Sequence, residues 1–323
     1  MKIIATLLLA AALPLSALAQ ATAGSWPTKP IRLVVPFAPG GNVDITARTI
    51  APGLGELLGQ TVLVDNRAGA GGVLGADLVA KSTPDGYTLL MGSNSSVSVA
   101  PALNPRNPYH PVRDFAPIAL VAATPFVLVA HPSVPAKNLS ELIALAKAKP
   151  GSLTMASGGN GSSNHLVGEL FQSVTGTKLL HIPYKGAGAV AADLMGGQVQ
   201  LLFDQLAAST PNIKSGRIKA IAVTSASRAS VVPDVPTMVE SGIKEMDVIN
   251  ITGVLAPAGT PPELVNRINA ALQKVLQRPE VKERFATLGV SALGGTPEEF
   301  GAFIREDFAK WTKVIKDANI KAE

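Results

Sequence analysis

Pro36-Phe37-Ala38-Pro39-Gly40-Gly41-Asn42-Val43-Asp44 joins a predicted apolar strand over 31–35 to a predicted helix over 43–58. The two prolines end the strand, and the two glycines allow the backbone to turn sharply. The first amide groups of a helix have no partner within the helix, and the helix dipole favours negative charge beside them. This segment therefore predicts an anion-binding loop at a helix start. A tight strand-to-helix turn without a ligand is the alternative.

A second segment repeats this design later in the chain. Ser157-Gly158-Gly159-Asn160-Gly161-Ser162-Ser163-Asn164-His165 follows a predicted strand over 153–156 and leads into a predicted helix over 162–174. Its serines are candidates to cap the helix, and a cap and an anion use the same amide groups. Two such loops predict two lobes that hold one small acid between them.

Short β-rich runs alternate with helical runs, which indicates an α/β protein built on parallel sheets. One series covers roughly 31–91 and a second covers roughly 139–224. Two apolar runs, 116–122 and 126–130, are separated by Thr124-Pro125. A strand over 247–255 and helices over 263–276 and 296–318 have no partner sheet of their own, so we expect them to return to the first lobe. The predicted division is residues 20–124 and 226–323 for lobe 1 and 125–225 for lobe 2.

Residues 1–19 have the features of a signal peptide. Lys2 is positive, an apolar run follows, and Ala17-Leu18-Ala19 precedes Gln20 as a cleavage signal. The apolar run is short for a membrane span, and Pro14 interrupts it. Export to the periplasm is expected, with an N-terminal anchor helix as the alternative.

Composition excludes several classes of function. The chain has no cysteine, which excludes disulfides, thiolate metal sites and a cysteine nucleophile. Its net charge of +5 is small for 323 residues, and its nine Phe, two Trp and three Tyr offer few stacking platforms. We therefore expect no nucleic-acid partner.

Polar residues at the ends of other predicted strands are further candidates for the cleft. Ser93 and Asn94 follow one strand, Tyr184 and Lys185 follow another, and Asp204 ends a third. A surface lysine is the alternative for Lys185. Asp204 is able to bind either a ligand amino group or the amides of a hinge. Asp44 is able to orient waters and donors, or to pair with Arg48 in the first helical turn.

An exported hydrolase is the main enzymatic alternative, and it needs a nucleophile beside a histidine. Ser162 and His165 lie three residues apart on one helix, but the chain has no G-x-S-x-G elbow and no H-E-x-x-H pair. Gly186-Ala187-Gly188-Ala189-Val190-Ala191 matches a dinucleotide fingerprint, but Pro183-Tyr184-Lys185 separates it from the strand. We therefore expect no catalytic residues, no cofactor and no metal.

Several further motifs occur in one order along the chain. They are Val35-Pro36-Phe37-Ala38-Pro39-Gly40-Gly41, Asn66-Arg67-x-Gly69-Ala70-Gly71-Gly72, Asp85-Gly86-Tyr87-Thr88-Leu89, Ser157-Gly158-Gly159-x-Gly161-Ser162, Pro183-Tyr184-Lys185-Gly186, Asp193-Leu194-Met195-Gly196-Gly197-Gln198-Val199, Val235-Pro236-Thr237 and Ala256-Pro257-Ala258-Gly259-Thr260-Pro261.

Together these motifs resemble the Bug-type periplasmic solute receptors, the binding components of tripartite tricarboxylate transporters. This resemblance implies a type II periplasmic-binding-protein fold, in which two α/β lobes are joined by two crossover strands with the ligand in the cleft. It also implies a small carboxylate ligand (a di- or tricarboxylate, an acidic amino acid or an aromatic acid) and membrane permease subunits as partners. We expect the receptor to be a monomer.

The residue patterns and the resemblance together define a set of predicted ligand-binding residues at the cleft. They are Phe37, Pro39, Gly40, Gly41, Asp44, Ser93, Asn94, Ser157, Gly159, Asn160, Ser162, His165, Tyr184, Lys185 and Asp204.

Overall fold

The computed structural model describes residues 26–184 and 187–317. The predicted signal peptide and Lys185 lie outside these ranges. The strands are β1 (Ile31–Val35), β2 (Val62–Asn66), β3 (Thr88–Ser93), β4 (Phe115–Ala130), β5 (Thr154–Ser157), β6 (Leu180–Pro183), β7 (Leu201–Gln205), β8 (Lys219–Val223), β9 (Ile249–Pro257) and β10 (Ser291–Gly294). The α-helices are α1 (Asn42–Leu58), α2 (Val73–Ala80), α3 (Ala100–Leu103), α4 (Leu139–Ala148), α5 (Ser163–Thr175), α6 (Ala187–Met195), α7 (Leu206–Lys214), α8 (Pro262–Gln277), α9 (Pro279–Leu288) and α10 (Pro297–Asp317).

The first sheet contains the amino-terminal strands and the late strand β9. β1 lies between β2 and β3 and runs parallel to both. β9 pairs antiparallel with β3 on one side and with the first part of β4 on the other, and β10 pairs with β4. The strand predicted over 247–255 is thus built into the sheet that holds the first loop.

The second sheet contains the middle strands. β5 runs parallel to β6 and β7, and β7 and β8 pair antiparallel with the last residues of β4. The second loop follows β5, as the first loop follows β1. Both loops lie at carboxyl ends of parallel strands, where α/β proteins bind their ligands.

β4 is continuous where the sequence shows two apolar runs. Pro125 pairs with Ile249 in the first sheet, and Phe126 pairs with Gln205 in the second. Proline has no backbone N–H and is excluded from regular sheet interiors, but Pro125 stands where the strand leaves one sheet for the other. The strand therefore continues through the proline.

Helices cover both sheets on both faces. In the first sheet, apolar residues of α1, α8 and α9 pack against one face, and α2 and α10 cover the other. In α8, Leu264, Ile268, Leu272 and Val275 recur at helical spacing and are buried. Full burial of each such side chain contributes roughly 1.5–3 kcal/mol. Of the described helices, none has the length and apolar character needed to cross a bilayer.

The predicted lobe boundaries at 124/125 and 225/226 stay predictions. Met238 and Met246 pack in the same hydrophobic cluster as the second-sheet residues Leu128 and Phe203. Residues just after β8 therefore lie with the second sheet before β9 re-enters the first.

α1 runs unbroken through Pro52, although a proline inside a helix commonly kinks or breaks it. Pro52 and Arg48 are both exposed. Pro52 has no N–H group to donate to the carbonyl of Arg48, four residues earlier. Because that carbonyl is on the solvated side of the helix, water can bond it. The helix therefore continues through Pro52.

Candidate functional site

The two predicted loops meet at one small cavity of about 40 Å³. α1 and α5 both begin at this inner cavity. Its lining comes from the two loops, from the starts of the two helices and from the ends of β3 and β7. These residues are Phe37, Ala38, Gly41, Asn42, Val43, Ser93, Ser95, Gly158, Ser162, Ser163, Asn164 and Gln205.

The first loop presents a helix start without a side-chain cap. Gly41 is the N-cap of α1, and no side chain bonds the amides of the first turn. The backbone of Gly41 is extended, with φ −78° and ψ 167°. The amides of Asn42 and Val43 have no intrahelical acceptor, because they belong to the first turn. The Asn42 Nδ2 atom is buried without a hydrogen-bond partner.

Asp44 stabilises the first loop through hydrogen bonds to its carboxylate. Its carboxylate accepts hydrogen bonds from the Gly40 amide (3.0 Å), from Arg48 Nε (3.0 Å) and from Asn66 Nδ2 (2.9 Å). Burial by itself raises the pKa of Asp44, but the hydrogen bonds and the Arg48 charge outweigh it and place that pKa below its ordinary value. Asp44 thus fixes the turn at Gly40. The inner cavity is not lined by Asp44, Pro39 or Gly40.

The second loop has one serine that caps its helix and another serine that lines the inner cavity. Ser162 caps α5, because its Oγ accepts from the His165 amide (3.4 Å) and donates to the Gly159 carbonyl (2.7 Å). Ser163 is 4% exposed, lines the inner cavity, and has a buried Oγ with no partner. A buried hydroxyl without a partner is unfavourable, so Ser163 is a ready donor to a bound oxygen.

A stacked histidine pair supports the second loop from outside the cavity. The rings of His165 and His181 lie 4.1 Å apart and nearly parallel. His165 Nδ1 accepts from the Gly161 amide (3.2 Å), and His181 Nε2 bonds Ser157 Oγ (2.7 Å). Burial, together with the charge of His181, lowers the pKa of His165 to about 4. His165 is thus neutral at pH 7 and accepts from the loop backbone.

Neither serine–histidine pair is placed as a nucleophile with its base. Ser162 bonds the backbone amide of His165 and the Gly159 carbonyl, and no bond joins it to the His165 ring. Ser157 bonds the His181 ring, but Ser157 is fully buried and does not line the inner cavity. A nucleophile has to reach the reacting atom of its substrate. In the described ranges, no group of three or more His, Asp and Glu side chains is placed to hold a metal ion.

A larger outer cavity of about 690 Å³ adjoins the inner one. The two cavities share Phe37, Ala38 and Gly158. The other lining residues of the outer cavity are Ala68, Gly69, Ala70, Gly71, Gly72, Val73, Ala100, Leu103, Asn104, Gly159, Asn160, Gly161, Pro183 and Tyr184. Tyr184 donates its hydroxyl to Asp193 (2.6 Å), and this bond raises the pKa of Tyr184 to about 12. A volume of this order suits a small organic ligand.

Two further predicted residues, Asn94 and Asp204, line neither cavity. Asn94 donates to Asp307 (2.7 Å) and accepts from the Ile251 amide (2.5 Å), so it joins α10 to β9. Asp204 is fully buried and accepts from Ser209 Oγ (2.7 Å). Burial raises the pKa of Asp204 to about 6, although hydrogen bonds from Ser209, Gln205 and Asn164 oppose the shift.

Seven of the predicted residues line the cavities, and several other lining residues were not predicted from the sequence. Phe37, Gly41, Ser93, Gly159, Asn160, Ser162 and Tyr184 are the lining set. The predicted residues that line neither cavity are Pro39, Gly40, Asp44, Asn94, Ser157, His165 and Asp204. Asn42 and Ser163 belong to the quoted motifs, and their place in the first helical turn was the available signal. The wall at 68–73 overlaps the quoted motif that runs from Asn66 to Gly72, whereas the wall at 100–104 carried no signal.

The chain matches the model of the tripartite tricarboxylate transporter family receptor, TctC, over residues 46–320. Protein BugT of Bordetella pertussis is 40% identical over 304 residues, which cover 94% of this chain and 93% of that protein. A solved structure of Rpa4515 from R. palustris with adipate has a TM-score of 0.89 and 35% identity, covering 92% of this chain and 99% of that one. MatC from Rhodopseudomonas palustris with bound malate has a TM-score of 0.86 and 34% identity, covering 90% of this chain and 100% of that one.

These similarities extend over nearly the whole length of each protein, and the two-lobed periplasmic-binding-protein fold expected from the sequence is confirmed. The chain belongs to the TctC family of tripartite tricarboxylate transporter receptors and is of the Bug type.

Proposed function

We propose that this receptor captures a small carboxylate between its two loops and delivers it to the membrane subunits of a tripartite tricarboxylate-type transporter. The observation that carries the proposal is the meeting of two helix starts at one inner cavity. The amides of Asn42 and Val43, the Asn42 side-chain amide and the Ser163 hydroxyl are donors there without protein acceptors. Donors from both lobes are suited to an anionic head group.

The magnitudes support an anion site without arginine. A micromolar complex requires about 8 kcal/mol. A hydrogen bond to a charged group contributes about 1.5–3 kcal/mol. Four or five such bonds, reduced by the entropy lost on association, reach that range. The helix dipoles of α1 and α5 add to the same preference for negative charge.

The relatives support the same class of ligand. Rpa4515 was solved with adipate and MatC with malate, and both ligands are small carboxylates. We propose export after cleavage before Gln20, action as a monomer, and ligand binding without a chemical step. Intact-mass measurement of periplasmic material tests the cleavage, because retention of residues 1–19 in a membrane fraction would contradict it.

Thermal unfolding with a ligand panel tests the function. The panel contains mono- and dicarboxylates, amino acids, neutral sugars and amides. A ligand at 100 times its Kd stabilises a protein by about 2.7 kcal/mol, which corresponds to a shift in Tm of roughly 5 °C for a chain of this size.

We expect the largest shift from an acid, with the acid recovered unchanged by mass spectrometry. A response restricted to neutral sugars would refute the anion site. Steady product formation from an ester or amide would instead support the hydrolase alternative.

A further inference from the structure

The Asn42 side chain at the inner cavity is bonded at one end and has no partner at the other. Its Oδ1 atom accepts a hydrogen bond from the Thr124 hydroxyl (3.2 Å). Its Nδ2 atom is buried and makes no hydrogen bond, and Asn42 lines the inner cavity. A buried N–H group without an acceptor is unfavourable, so Nδ2 is a donor that a bound oxygen would satisfy.

The Thr124 bond determines whether Asn42 is able to offer its N–H group to an acid. An asparagine amide carries an acceptor at one end and two donors at the other. When Nδ2 faces a ligand, Oδ1 needs a donor from the protein, because a buried acceptor without one costs free energy. The Thr124 hydroxyl is that donor. In the reversed orientation Oδ1 would face the carboxylate, and two acceptor oxygens would repel each other.

Thr124 belongs to the strand that joins the two sheets. It is fully buried, does not line the inner cavity, and pairs with Asn250 near the end of the first-sheet part of β4. Two residues later, Phe126 pairs with Gln205 in the second sheet, and Gln205 lines the same inner cavity as Asn42. β4 therefore holds one polar lining residue from each sheet, Asn42 through a side chain and Gln205 through the backbone.

We propose that Thr124 is a positioning residue for ligand binding: its hydroxyl holds Oδ1 of Asn42, so that Nδ2 faces the carboxylate head group in the inner cavity. The inference rests on the proposed function and adds to it a residue that acts on the ligand only through another side chain. Asn42 is then a specificity residue. Its N–H group suits an acceptor oxygen of the ligand and not a group that presents only donors, such as an ammonium.

Isothermal titration with adipate, malate, benzoate and glutamate identifies the acids that bind the parent, and the same acids are then titrated into the variants. Thr124→Val keeps the shape of threonine and removes the hydroxyl. We expect its affinity to fall about fivefold to tenfold, because binding then leaves Oδ1 of Asn42 buried without a donor. Thr124→Ser keeps the hydroxyl and should bind within about twofold of the parent. Equal affinities of Thr124→Val and the parent would overturn the proposal.

A double-mutant cycle separates this role from a general effect on the strand. Asn42→Ala removes the donor and should weaken binding about tenfold or more. In that background Thr124→Val should change affinity by less than about twofold, because its effect passes through Asn42. A full additional loss would show that Thr124 acts through the packing of β4, which would overturn the proposal. Thr252→Val is the matched control: Thr252 is also buried in the first sheet, but its hydroxyl donates to the Ala122 carbonyl (3.4 Å), so we expect the affinity of the parent.

Asn42→Asp supplies a second test that does not depend on the folding of Thr124→Val. One aspartate oxygen still accepts from Thr124, while the other brings negative charge to the cavity, so binding of acids should weaken by about a hundredfold or more. A variant that circular dichroism shows to be folded, yet binds the same acid as tightly as the parent, would overturn the proposal. If no acid of the set binds the parent, the proposed function itself fails, and this inference fails with it. If an acid binds but these variants bind it equally well, only this inference fails.

Discussion

Gly41→Asp places a carboxylate at the helix start where the ligand's head group is proposed to bind. The extended backbone of Gly41 suits an N-cap aspartate, and a Cβ there meets only the Ala38 carbonyl, at 3.7 Å. The new side chain accepts from the first-turn amides, so the fold keeps its helix and gains a cap. We expect the free energy of unfolding to change by less than about 1 kcal/mol.

The same substitution removes donors from the ligand. If two hydrogen bonds of about 1.5–3 kcal/mol each are lost, affinity falls by about 3–6 kcal/mol, or roughly 10²- to 10⁴-fold at 1.4 kcal/mol per tenfold. Repulsion between the new carboxylate and the ligand acts in the same direction. Isothermal titration with the acids that bind the parent measures the loss, and circular dichroism with urea unfolding verifies the fold.

Gly41→Ala is the matched control, because alanine adds the Cβ but no acceptor. We expect its affinity to stay within about threefold of the parent, since the amide donors remain free. Gly159 does not allow the equivalent test in the second loop: its φ is +126°, and a Cβ would lie 2.9 Å from the Tyr184 carbonyl. A folded Gly41→Asp variant that binds the same acid as tightly as the parent would refute the anion site at α1.

Three further predictions concern single side chains. Ser163→Ala removes a buried hydroxyl without a protein partner. The free energy of unfolding should stay within about 0.5 kcal/mol, while ligand affinity falls about fivefold. Unchanged affinity by titration would contradict the role of Ser163 as a donor to the ligand. Asp44→Asn should lower the free energy of unfolding in urea by about 2–4 kcal/mol, because three donors lose a charged acceptor. A loss below about 1 kcal/mol would contradict the role of Asp44 in fixing the first loop. In the folded protein the pKa of Asp204 is raised to about 6 from 3.8. Between these two pH values the folded protein therefore binds more protons than the unfolded chain. The free energy of unfolding is highest below pH 4 and falls as pH rises through about 6. Relative to Asp204→Asn, the parent should lose about 2.5 kcal/mol of unfolding free energy between pH 4 and pH 7, because the unfolded carboxyl is already partly ionised at pH 4. Parallel pH profiles of the two proteins would refute this.

The sequence was sufficient to predict the strand-to-helix loops, because prolines, glycines and capping residues act locally. β1 has the predicted bounds, and a serine of the second loop caps α5 as expected. The elements that were missed are short or follow closely on another helix: α3 has 4 residues, β10 has 4, and α9 begins two residues after α8 ends. Such elements depend on tertiary packing more than on a local pattern.

The sequence indicated which two loops meet at the cavities, but not the direction in which their side chains point. Asp44, Ser157 and His165 belong to these two loops, yet their side chains bond the loop backbone and do not line the cavities. The side to which a loop residue points depends on the turn geometry, which residue types alone do not determine. The wall at 68–73 meets the second loop only through long-range packing: a Cβ at Gly71 would lie 3.4 Å from the Asn160 carbonyl.

The position of β9 between β3 and β4 has a consequence for how the chain reaches its native state. Leu90 pairs with Leu255, and Ala116 pairs with Ala256, so the centre of the first sheet closes only after most of the polypeptide exists. Contacts between residues so distant in sequence slow folding, because loop closure precedes their stabilisation. Until β9 inserts, β3 and β4 present open edges able to pair with other chains. A fragment that ends before Ile249 should therefore aggregate instead of folding as an independent first lobe, and refolding of the intact chain should lose yield as protein concentration rises.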